Sequence, residues 1–410
     1  MAMARQEAAD DGRALPVNTP KFWGDERARL VECIDSGWIS SEGPFVKEFE
    51  TAFARQCDRK YGVAVANGTA ALDIVMQVLQ VGPGDEVILP TLTIISCIQQ
   101  VVKSGATPVL VDCEAGGYNF DLAAVRDRIT AKTKAVLAVH VYEYPVDMVR
   151  LLALVQEKER ELRGGNKIYV VEDSAELIGG QFQGRPCGSF GDFSTVSFYP
   201  NKHITTGEGG MVLCDELELC EAARKVRNLC FDPDKPRFVH ADLGFNYRMT
   251  SLQAALGLAQ LPHLAQAIER KREIGRLYNK FFQNEMKEVL PYVRIPSETD
   301  QFGSENIFWV YMIEITHPTL TAAALMALLG KAKVGTRPCF FPLHRQPVFI
   351  GDDPKSRYHQ PHFVGARFPH AERLAEKSFY LPSGLALTDE DVRIACLRFR
   401  DVLLQAVAET

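Results

Sequence analysis

Short apolar runs alternate with longer amphipathic stretches along the first half of the chain. The runs are rich in β-branched and aromatic residues, as buried strands are, and the stretches between them have helical spacing. The segments predicted as strands are 61–66, 86–89, 108–112, 134–140 and 167–171. Strands that alternate with helices indicate parallel β-α units, so we expect an α/β fold built on a mixed, mainly parallel sheet.

The second half of the chain has a different pattern. A long amphipathic helix is predicted from about residue 251 to residue 269 or beyond, and fewer parallel-strand signals follow it. Because 410 residues exceed what one hydrophobic core usually serves, we expect two domains. The predicted division is a flexible N-terminal extension at 1–15, a large domain at 16–262 and a small C-terminal domain at 263–410.

Composition narrows the possible classes of protein. Charged residues make up 24% of the chain and the net charge is −6, with both signs interspersed, so no basic face is available for nucleic acid. No apolar run is long enough to cross a bilayer. The ten cysteines form no C-x-x-C pair and no zinc-ligand spacing with histidine, which is typical of reduced thiols. We therefore expect a cytoplasmic protein without a bound metal that acts on neither nucleic acid nor membranes.

Lys202 has the most informative surroundings in the chain. It lies in the run SFYPNKHITTGEGGMV, with Ser197 five residues before it and a glycine-rich loop after it. Asp173 follows the predicted strand 167–171, at the edge where open α/β sheets bind ligands. Pyridoxal phosphate needs a lysine that holds its aldehyde as a Schiff base and a carboxylate beside its ring nitrogen. Taken alone, Lys202 could be a solvated lysine and Asp173 a helix cap, but together they favour this cofactor.

Four stretches carry a resemblance to the sugar-nucleotide aminotransferases of the DegT/DnrJ/EryC1/StrS family. They are VANGTAALDIVMQVLQVGPGDEVILPTLT from Val65, VVEDSAELIGG from Val170, GSFGDFSTVSFYPNKHITTGEGGMV from Gly188 and LGFNYRMTSLQAALGLAQL from Leu243. The similarity is greatest to the branch that makes GDP-perosamine, and it covers nearly the whole chain. It implies the fold-type I, aspartate aminotransferase-like architecture, in which a large domain with a mainly parallel mixed sheet precedes a smaller C-terminal α+β domain.

The resemblance assigns cofactor contacts by position. The phosphate is expected at Gly68 and Thr69, where the turn NGTAA opens a helix whose free amides favour an anion. Ser197 is the expected second phosphate ligand. Arg248 matches a position that reaches the phosphate from the neighbouring subunit in relatives, which implies a homodimer with active sites at the subunit interface.

Two further positions face the cofactor in relatives. Glu176 is expected near the 3-hydroxyl group of the cofactor. Ile94 stands where many relatives place an aromatic residue on the pyridine ring, so the ring would be covered by dispersion without aromatic stacking. A second departure is Glu143, where relatives usually carry glycine, and the sequence indicates only a solvated loop residue there.

The sugar nucleotide is expected to contact loop residues. Trp38 and Ser40 in SGWISS, and Arg337 and His344 in GTRPCFFPLHRQP, are candidate contacts for the sugar hydroxyls or the diphosphate. A solvent-exposed role fits these loops almost as well. For His203, next to Lys202, a pocket-lining or packed histidine is favoured over a catalytic one, because side chains of adjacent residues point in different directions.

The predicted reaction is amino transfer from glutamate to the 4-keto carbon of a nucleotide-linked 4-keto-6-deoxyhexose, with GDP-4-keto-6-deoxymannose as the expected substrate. Two alternatives use the same scaffold, namely carbon-3 amino transfer and 3-dehydration. The related 3-dehydratases replace the Schiff-base lysine with histidine, whereas Lys202 is present here. A third alternative is a catalytically idle sugar-binding relative, against which the complete set of Lys202, Asp173 and Ser197 argues.

Overall fold

A computed structural model describes residues 12–162, 167–232, 234–351, 353 and 355–410. The helices are α1 Glu26–Asp35, α2 Pro44–Gln56, α3 Gly68–Val78, α4 Ser96–Lys103, α5 Leu122–Arg128, α6 Met148–Glu161, α7 Leu217–Arg227, α8 Ser251–Gln260, α9 Leu264–Lys280, α10 Ala322–Lys331, α11 Pro347–Ile350, α12 Pro369–Lys377 and α13 Asp389–Ala408. The strands are β1 Tyr61–Val65, β2 Glu86–Pro90, β3 Thr107–Val111, β4 Thr133–Val139, β5 Tyr169–Asp173, β6 Gln181–Phe182, β7 Arg185–Pro186, β8 Phe193–Ser197, β9 Gly210–Cys214, β10 Val293–Arg294, β11 Tyr311–Ile315, β12 Arg337–Pro338 and β13 Ser378–Leu381.

The central sheet has seven strands in the order β1-β9-β8-β5-β4-β2-β3. Strand β9 runs antiparallel to both neighbours, and the remaining pairs are parallel. The expectation of a mixed, mainly parallel sheet is therefore confirmed, and the five predicted strands are β1 to β5, with ends within two residues of those predicted.

Both faces of this sheet are buried. Along β5, Val171 packs in the cluster that contains α3 and α4, while Val170 packs with α6 on the other face. On β2, Leu89 and Ile88 divide in the same way between the two faces. Because successive side chains point to opposite faces and helices cover both, these strands are apolar on both faces along most of their length.

The small domain has a four-stranded antiparallel sheet in the order β10-β11-β13-β12. Its core is formed with α9, α10 and α13. The single long helix predicted from residue 251 is wrong, since α8 ends at Gln260 and a 3₁₀ turn, Leu261–His263, separates it from α9. Pro262 lies in this turn, and proline lacks the amide that an α-helix requires.

The N-terminal segment departs from the expectation of a flexible extension at 1–15. Residues 1–11 lie outside the described residues. Leu15, however, is buried in the core of the small domain, where its amide donates to Lys333 O at 2.9 Å and its carbonyl accepts from Gly335 N at 2.8 Å. Apolar burial therefore fixes residues 12–15 on the small domain.

Two kinds of feature are absent from the described residues. Those residues contain no cluster of histidine, cysteine and acidic side chains suited to a metal ion, and none of their helices is long and apolar enough to span a bilayer. All ten cysteines are buried and unpaired.

Candidate active site

A cavity of about 880 Å³ lies between the two domains, at the carboxyl ends of β4, β5 and β8. Parallel strands place their carboxyl ends on one edge of a sheet, and ligands of open α/β folds bind there. Eight of the predicted site residues line this cavity, namely Gly68, Thr69, Ile94, Asp173, Glu176, Ser197, Lys202 and Arg337. The structure therefore brings together the predicted cofactor contacts of one subunit.

Asp173 is the last residue of β5 and is buried beneath the cavity. Its Oδ1 accepts from the amide of Ala175 at 3.1 Å, and the thiol of Cys97 donates to Oδ2 over 3.6 Å. Burial raises the pKa of this carboxyl group, while the Ala175 amide and the charge of Lys202 act in the opposite direction. A buried carboxylate of this kind can hold a proton on a ring nitrogen.

Lys202 follows β8 in a turn closed by its own amide, which donates to Tyr199 O at 2.9 Å. Its side chain enters the cavity, and Nζ lies 3.9 Å from the centroid of the Trp309 ring. Burial lowers the pKa of the Lys202 amine, against the attraction of Glu176 and Asp173. The lower pKa favours the neutral amine, which is the form that attacks an aldehyde or accepts a proton.

Glu176 is the second buried carboxyl group in the cavity. Its Oε2 accepts from the amide of Tyr142 at 2.8 Å, and Tyr142 has a φ of +61°. Burial raises the pKa of Glu176 to about 8, although Lys202 acts to lower it. Glu176 can therefore be protonated at neutral pH and donate a hydrogen bond to an oxygen in the cavity.

The amino end of α3 forms the phosphate side of the cavity. The side chain of Asn67 caps the helix by accepting from Ala70 N at 2.8 Å, and the amides of Gly68 and Thr69 begin the helix beside it. A Cβ added to Gly68 would lie 3.0 Å from Cβ of Ser197, so glycine keeps the space between the two predicted ligands open. Glycine, hydroxyl groups and a helix amino end suit the phosphate of pyridoxal phosphate.

Glu172, adjacent to Asp173 on β5, holds the backbone near the site through hydrogen bonds. Its carboxylate accepts from His140 Nε2 at 2.9 Å, from Gly188 N at 2.6 Å and from Phe190 N at 2.9 Å. His140 Nδ1 accepts from the amide of Val146, so the proton of the neutral ring is on Nε2. Burial acts to raise the pKa of Glu172, but these hydrogen bonds lower it overall. Glu172 is therefore a fixed anion that joins β5 to the loop before β8.

Aromatic residues from the small domain complete the cavity wall, and no motif in the chain singled them out. Trp309 precedes β11, Phe340 follows β12 and Tyr380 lies on β13. Tyr142 stacks on Trp309 with ring centroids 5.8 Å apart and on Phe340 with centroids 5.0 Å apart. These rings form the small-domain side of the cavity that contains Lys202.

The two histidines predicted near the substrate do not line the cavity. His203 is fully buried, and its Nε2 lies 3.4 Å from Ile307 O. Burial lowers the pKa of His203 to about 3, so the ring stays neutral, as a packed histidine does. His344 is also buried, between the hydroxyl of Thr91 at 2.8 Å and the carboxylate of Glu372 at 3.2 Å. Its position does not support a direct contact with the sugar.

Trp38, Ser40 and Arg248 also lie outside the cavity of their own subunit. Trp38 is 49% exposed, and the carbonyl of Ser40 accepts from Ser251 N at the start of α8. Arg248 donates to Asn228 Oδ1 at 2.7 Å and to Asn246 Oδ1 at 2.9 Å.

Glu143 differs from the prediction of a solvated loop residue. It is half-buried, and burial raises the pKa of its carboxyl group to about 7, against the attraction of Arg294. The structure gives no functional account of this residue.

Residues 22–399 match the DegT/DnrJ/EryC1/StrS aminotransferase family. The GDP-perosamine synthase of Escherichia coli O157:H7 is 35% identical over 384 residues, which are 93% of this chain and 96% of that enzyme. The UDP-N-acetyl-3-dehydro-alpha-D-glucosamine 3-aminotransferase of Acidithiobacillus ferrooxidans is 34% identical over 337 residues, which are 82% of each protein.

A similar fold occurs in Spr1654, a putative sugar aminotransferase from Streptococcus pneumoniae. Its PLP-form superposes with a TM-score of 0.84 at 25% sequence identity, over 96% of this chain and 99% of that chain. Its PMP-form gives a TM-score of 0.85 over 97% of this chain and 99% of that chain. The likeness therefore extends through both domains.

Proposed function

The chain belongs to the DegT/DnrJ/EryC1/StrS aminotransferase family, and we propose that it transfers an amino group from glutamate to the 4-keto carbon of GDP-4-keto-6-deoxymannose, giving GDP-perosamine. As a member of this family it is a pyridoxal phosphate-dependent sugar aminotransferase. The observation that carries the finer proposal is the likeness to GDP-perosamine synthase over 93% of the chain. The relative named for a 3-aminotransferase supports a second candidate, amino transfer to carbon 3, over 82% of the chain.

Pyridoxal phosphate, when bound, supplies an aldehyde that carries the amino group and a ring that accepts the electrons of a carbon losing its proton. Lys202 is the proposed covalent holder of the cofactor and, once free, the base and acid that moves the proton. Its lowered pKa supports the base role, because a free amine can accept a proton at neutral pH. Asp173 is proposed to keep the ring nitrogen protonated.

The other cavity residues would hold the cofactor in place. The amides of Gly68 and Thr69 and the hydroxyl of Ser197 are proposed phosphate ligands, and Glu176 is the proposed partner of the 3-hydroxyl group. Ile94 is 46% exposed at the cavity, and it could cover the ring once the cofactor is present. Arg337 lies at the small-domain side of the cavity, where it can pair with a diphosphate.

A homodimer with shared sites is part of this proposal. Arg248 does not line the cavity, and its guanidinium group donates to two asparagine side chains. The segments around it and before α2 expose large apolar side chains, namely Ile34, Trp38, Ile39, Leu229, Phe238, Val239 and Leu243. Exposed apolar residues in such number are typical of a protein interface. In a dimer, Trp38, Ser40 and Arg248 could then reach the cavity of the second subunit.

A cytoplasmic location is the last part of the proposal. All ten cysteines are unpaired, as in proteins of a reducing compartment.

The decisive experiment is incubation of the purified enzyme with ¹⁵N-glutamate and a panel of keto sugar nucleotides. The panel contains 4-keto-6-deoxy sugars linked to GDP, dTDP and UDP and a UDP-linked 3-keto sugar, and NMR locates the ¹⁵N in the product. We expect ¹⁵N on carbon 4 of the GDP-linked sugar. Transfer to carbon 3, or loss of a hydroxyl group without transfer, would contradict the proposal.

A second measurement tests the role of the lysine. Borohydride reduction should fix the cofactor to Lys202, which mass spectrometry of peptides identifies. Lys202→Ala should abolish transfer, and Lys167→Ala, at an exposed lysine that pairs with Asp192, is the matched control that should retain it. An adduct on another lysine, or turnover by Lys202→Ala, would refute the assigned role.

A further inference from the structure

The amine of Lys202 has an aromatic partner that the reaction scheme above does not use. Nζ lies 3.9 Å from the centroid of the Trp309 ring, within the range of a cation–π interaction. The carboxyl groups of Asp173 and Glu176 line the same cavity, and both attract the amine. Two acids of the large domain and one indole of the small domain therefore act on this amine.

The indole itself is held firmly. Its Nε1 donates to Asn201 O at 3.0 Å, so the ring is bonded to the residue that immediately precedes Lys202. The indole also stacks on the ring of Tyr142, with the two planes inclined by 14°. Trp309 is almost completely buried, and both contacts restrict its rotation.

A second lysine fixes the backbone of Trp309. Lys271, on α9, is fully buried, and its Nζ donates to Trp309 O at 2.8 Å and to Ser383 O. Burial, helped by the charge of Lys202, lowers the pKa of Lys271 to about 7. Burying a lysine is unfavourable unless its amine is hydrogen-bonded. The two hydrogen bonds of Lys271 join α9 to the segment that carries the indole.

We propose that Trp309 is a positioning residue for the catalytic amine, holding Lys202 over its indole face whenever the amine is not joined to the cofactor. The proposal rests on the role of Lys202 given above. A free lysine side chain has four rotatable carbon–carbon bonds, and without a partner its amine would sample many positions. Holding it near the cofactor raises its effective concentration for proton transfer, and the π face stabilises the ammonium form that exists between proton uptake and release.

The proposal predicts a change in the affinity of Lys202 for protons. The charged and titratable groups around this amine are Asp173, Glu176 and Cys97 from the large domain, with Lys271 and His203 behind the indole. An aromatic face favours the charged amine. Its removal should therefore lower the pKa of Lys202, whereas removal of a ring that does not touch the amine should leave it unchanged.

The test uses the cofactor-free protein, so it does not depend on turnover. Trace acetic anhydride labels Lys202 at a series of pH values, and mass spectrometry of the lysine peptide gives the pKa of the amine. Trp309→Leu should lower this pKa by about half a unit to one and a half units, which corresponds to a cation–π interaction of about 0.5–2 kcal/mol. Trp309→Phe should lower it less, because a phenyl ring binds cations more weakly.

Phe340→Leu is the matched control. Phe340 lines the same cavity and stacks on Tyr142, and its substitution should leave the pKa of Lys202 unchanged. The proposal is overturned if both Trp309 variants keep the parental pKa, or if Phe340→Leu lowers it equally. If Trp309→Leu does not fold, Trp309→Phe alone decides. Failure of the borohydride test at Lys202 would instead overturn the proposed reaction. The labelling measures the pKa of Lys202 without turnover, so the two failures can be distinguished.

Discussion

Glu172 offers the sharpest test of how the site is supported, because its carboxylate is fully buried and accepts four N–H groups. Oε1 accepts from His140 Nε2 and Gly188 N, while Oε2 accepts from Phe190 N and Gly191 N. Glu172→Gln keeps the shape of the side chain but replaces one oxygen with an NH₂ group. In either orientation of the amide, two buried donors then lose their acceptor.

The expected loss of stability follows from the two donors that lose their acceptor. A buried donor without an acceptor costs about 1–3 kcal/mol, so two such donors cost about 2–6 kcal/mol. The cheaper orientation turns the NH₂ group towards Phe190 and Gly191, because the bond from Gly191 is already long at 3.3 Å. We therefore expect Glu172→Gln to destabilise the protein by about 2–4 kcal/mol, a large part of a typical total of about 5–15 kcal/mol.

The effect should depend on pH with a definite sign. The folded protein lowers the pKa of Glu172 below its unfolded value. Its stabilising contribution is therefore complete above the unfolded pKa of about 4.3 and is lost as the pH falls through the lower folded pKa. The stability difference between the parent and Glu172→Gln should be largest at neutral pH and shrink below about pH 4.

Urea unfolding of the cofactor-free protein measures both effects. The protein concentration is held constant, because dissociation of a dimer would make the midpoint depend on it. Glu157→Gln is the matched control, since Glu157 pairs with Arg126 on the surface, and such pairs contribute about 0–1 kcal/mol. If Glu172→Gln is no more destabilising than Glu157→Gln at pH 7, the assigned network is wrong.

Three substitutions test the remaining site residues. Asp173→Asn should retain the cofactor but lose roughly 10- to 100-fold in kcat, since a charge-assisted hydrogen bond of about 1.5–3 kcal/mol disappears, and parental turnover would exclude Asp173 as the ring partner. Gly68→Ala should weaken cofactor binding about tenfold, because its Cβ would lie 3.0 Å from Cβ of Ser197, and a spectroscopic titration measures the affinity. Arg248→Ala mixed with Lys202→Ala should regain activity as subunits exchange, since one of the two sites in the mixed dimer carries neither defect; continued inactivity after exchange is shown by mass spectrometry would contradict shared sites.

The sequence was sufficient to place site residues where a reactive side chain lies in a short motif or at the end of a recognisable strand. Lys202 and Ser197 share one motif, and Asp173 ends a strand whose composition is readable, so all three could be placed at one sheet edge. The break between α8 and α9 was missed, although Pro262 was a visible signal for it. A single apolar residue such as Leu15 produces no periodicity, and its burial could not be read from the chain.

The small-domain side of the site could not be predicted for a physical reason. Trp309 lies in an apolar run that leads into β11, and a tryptophan there fits a core position as well as a cavity wall. Whether this tryptophan lies in a core or in the cavity wall depends on how the two domains pack together. For the same reason the sequence could not separate His344, which is packed between Thr91 and Glu372, from a histidine that faces substrate.

Both domains line the cavity, and they supply different groups to it. Lys202, Asp173 and Glu176 come from the large domain, at the ends of strands whose position the buried sheet fixes. Arg337 and Tyr380 come from the small-domain sheet, which packs on the same cavity without being part of the catalytic edge. The lysine and carboxyl groups suit amino transfer to any sugar carbon. In the proposed reaction, discrimination between carbon 3 and carbon 4 therefore depends on residues that set the height and angle of the sugar over Lys202, and Arg337 and Tyr380 are the candidates because they line the same cavity.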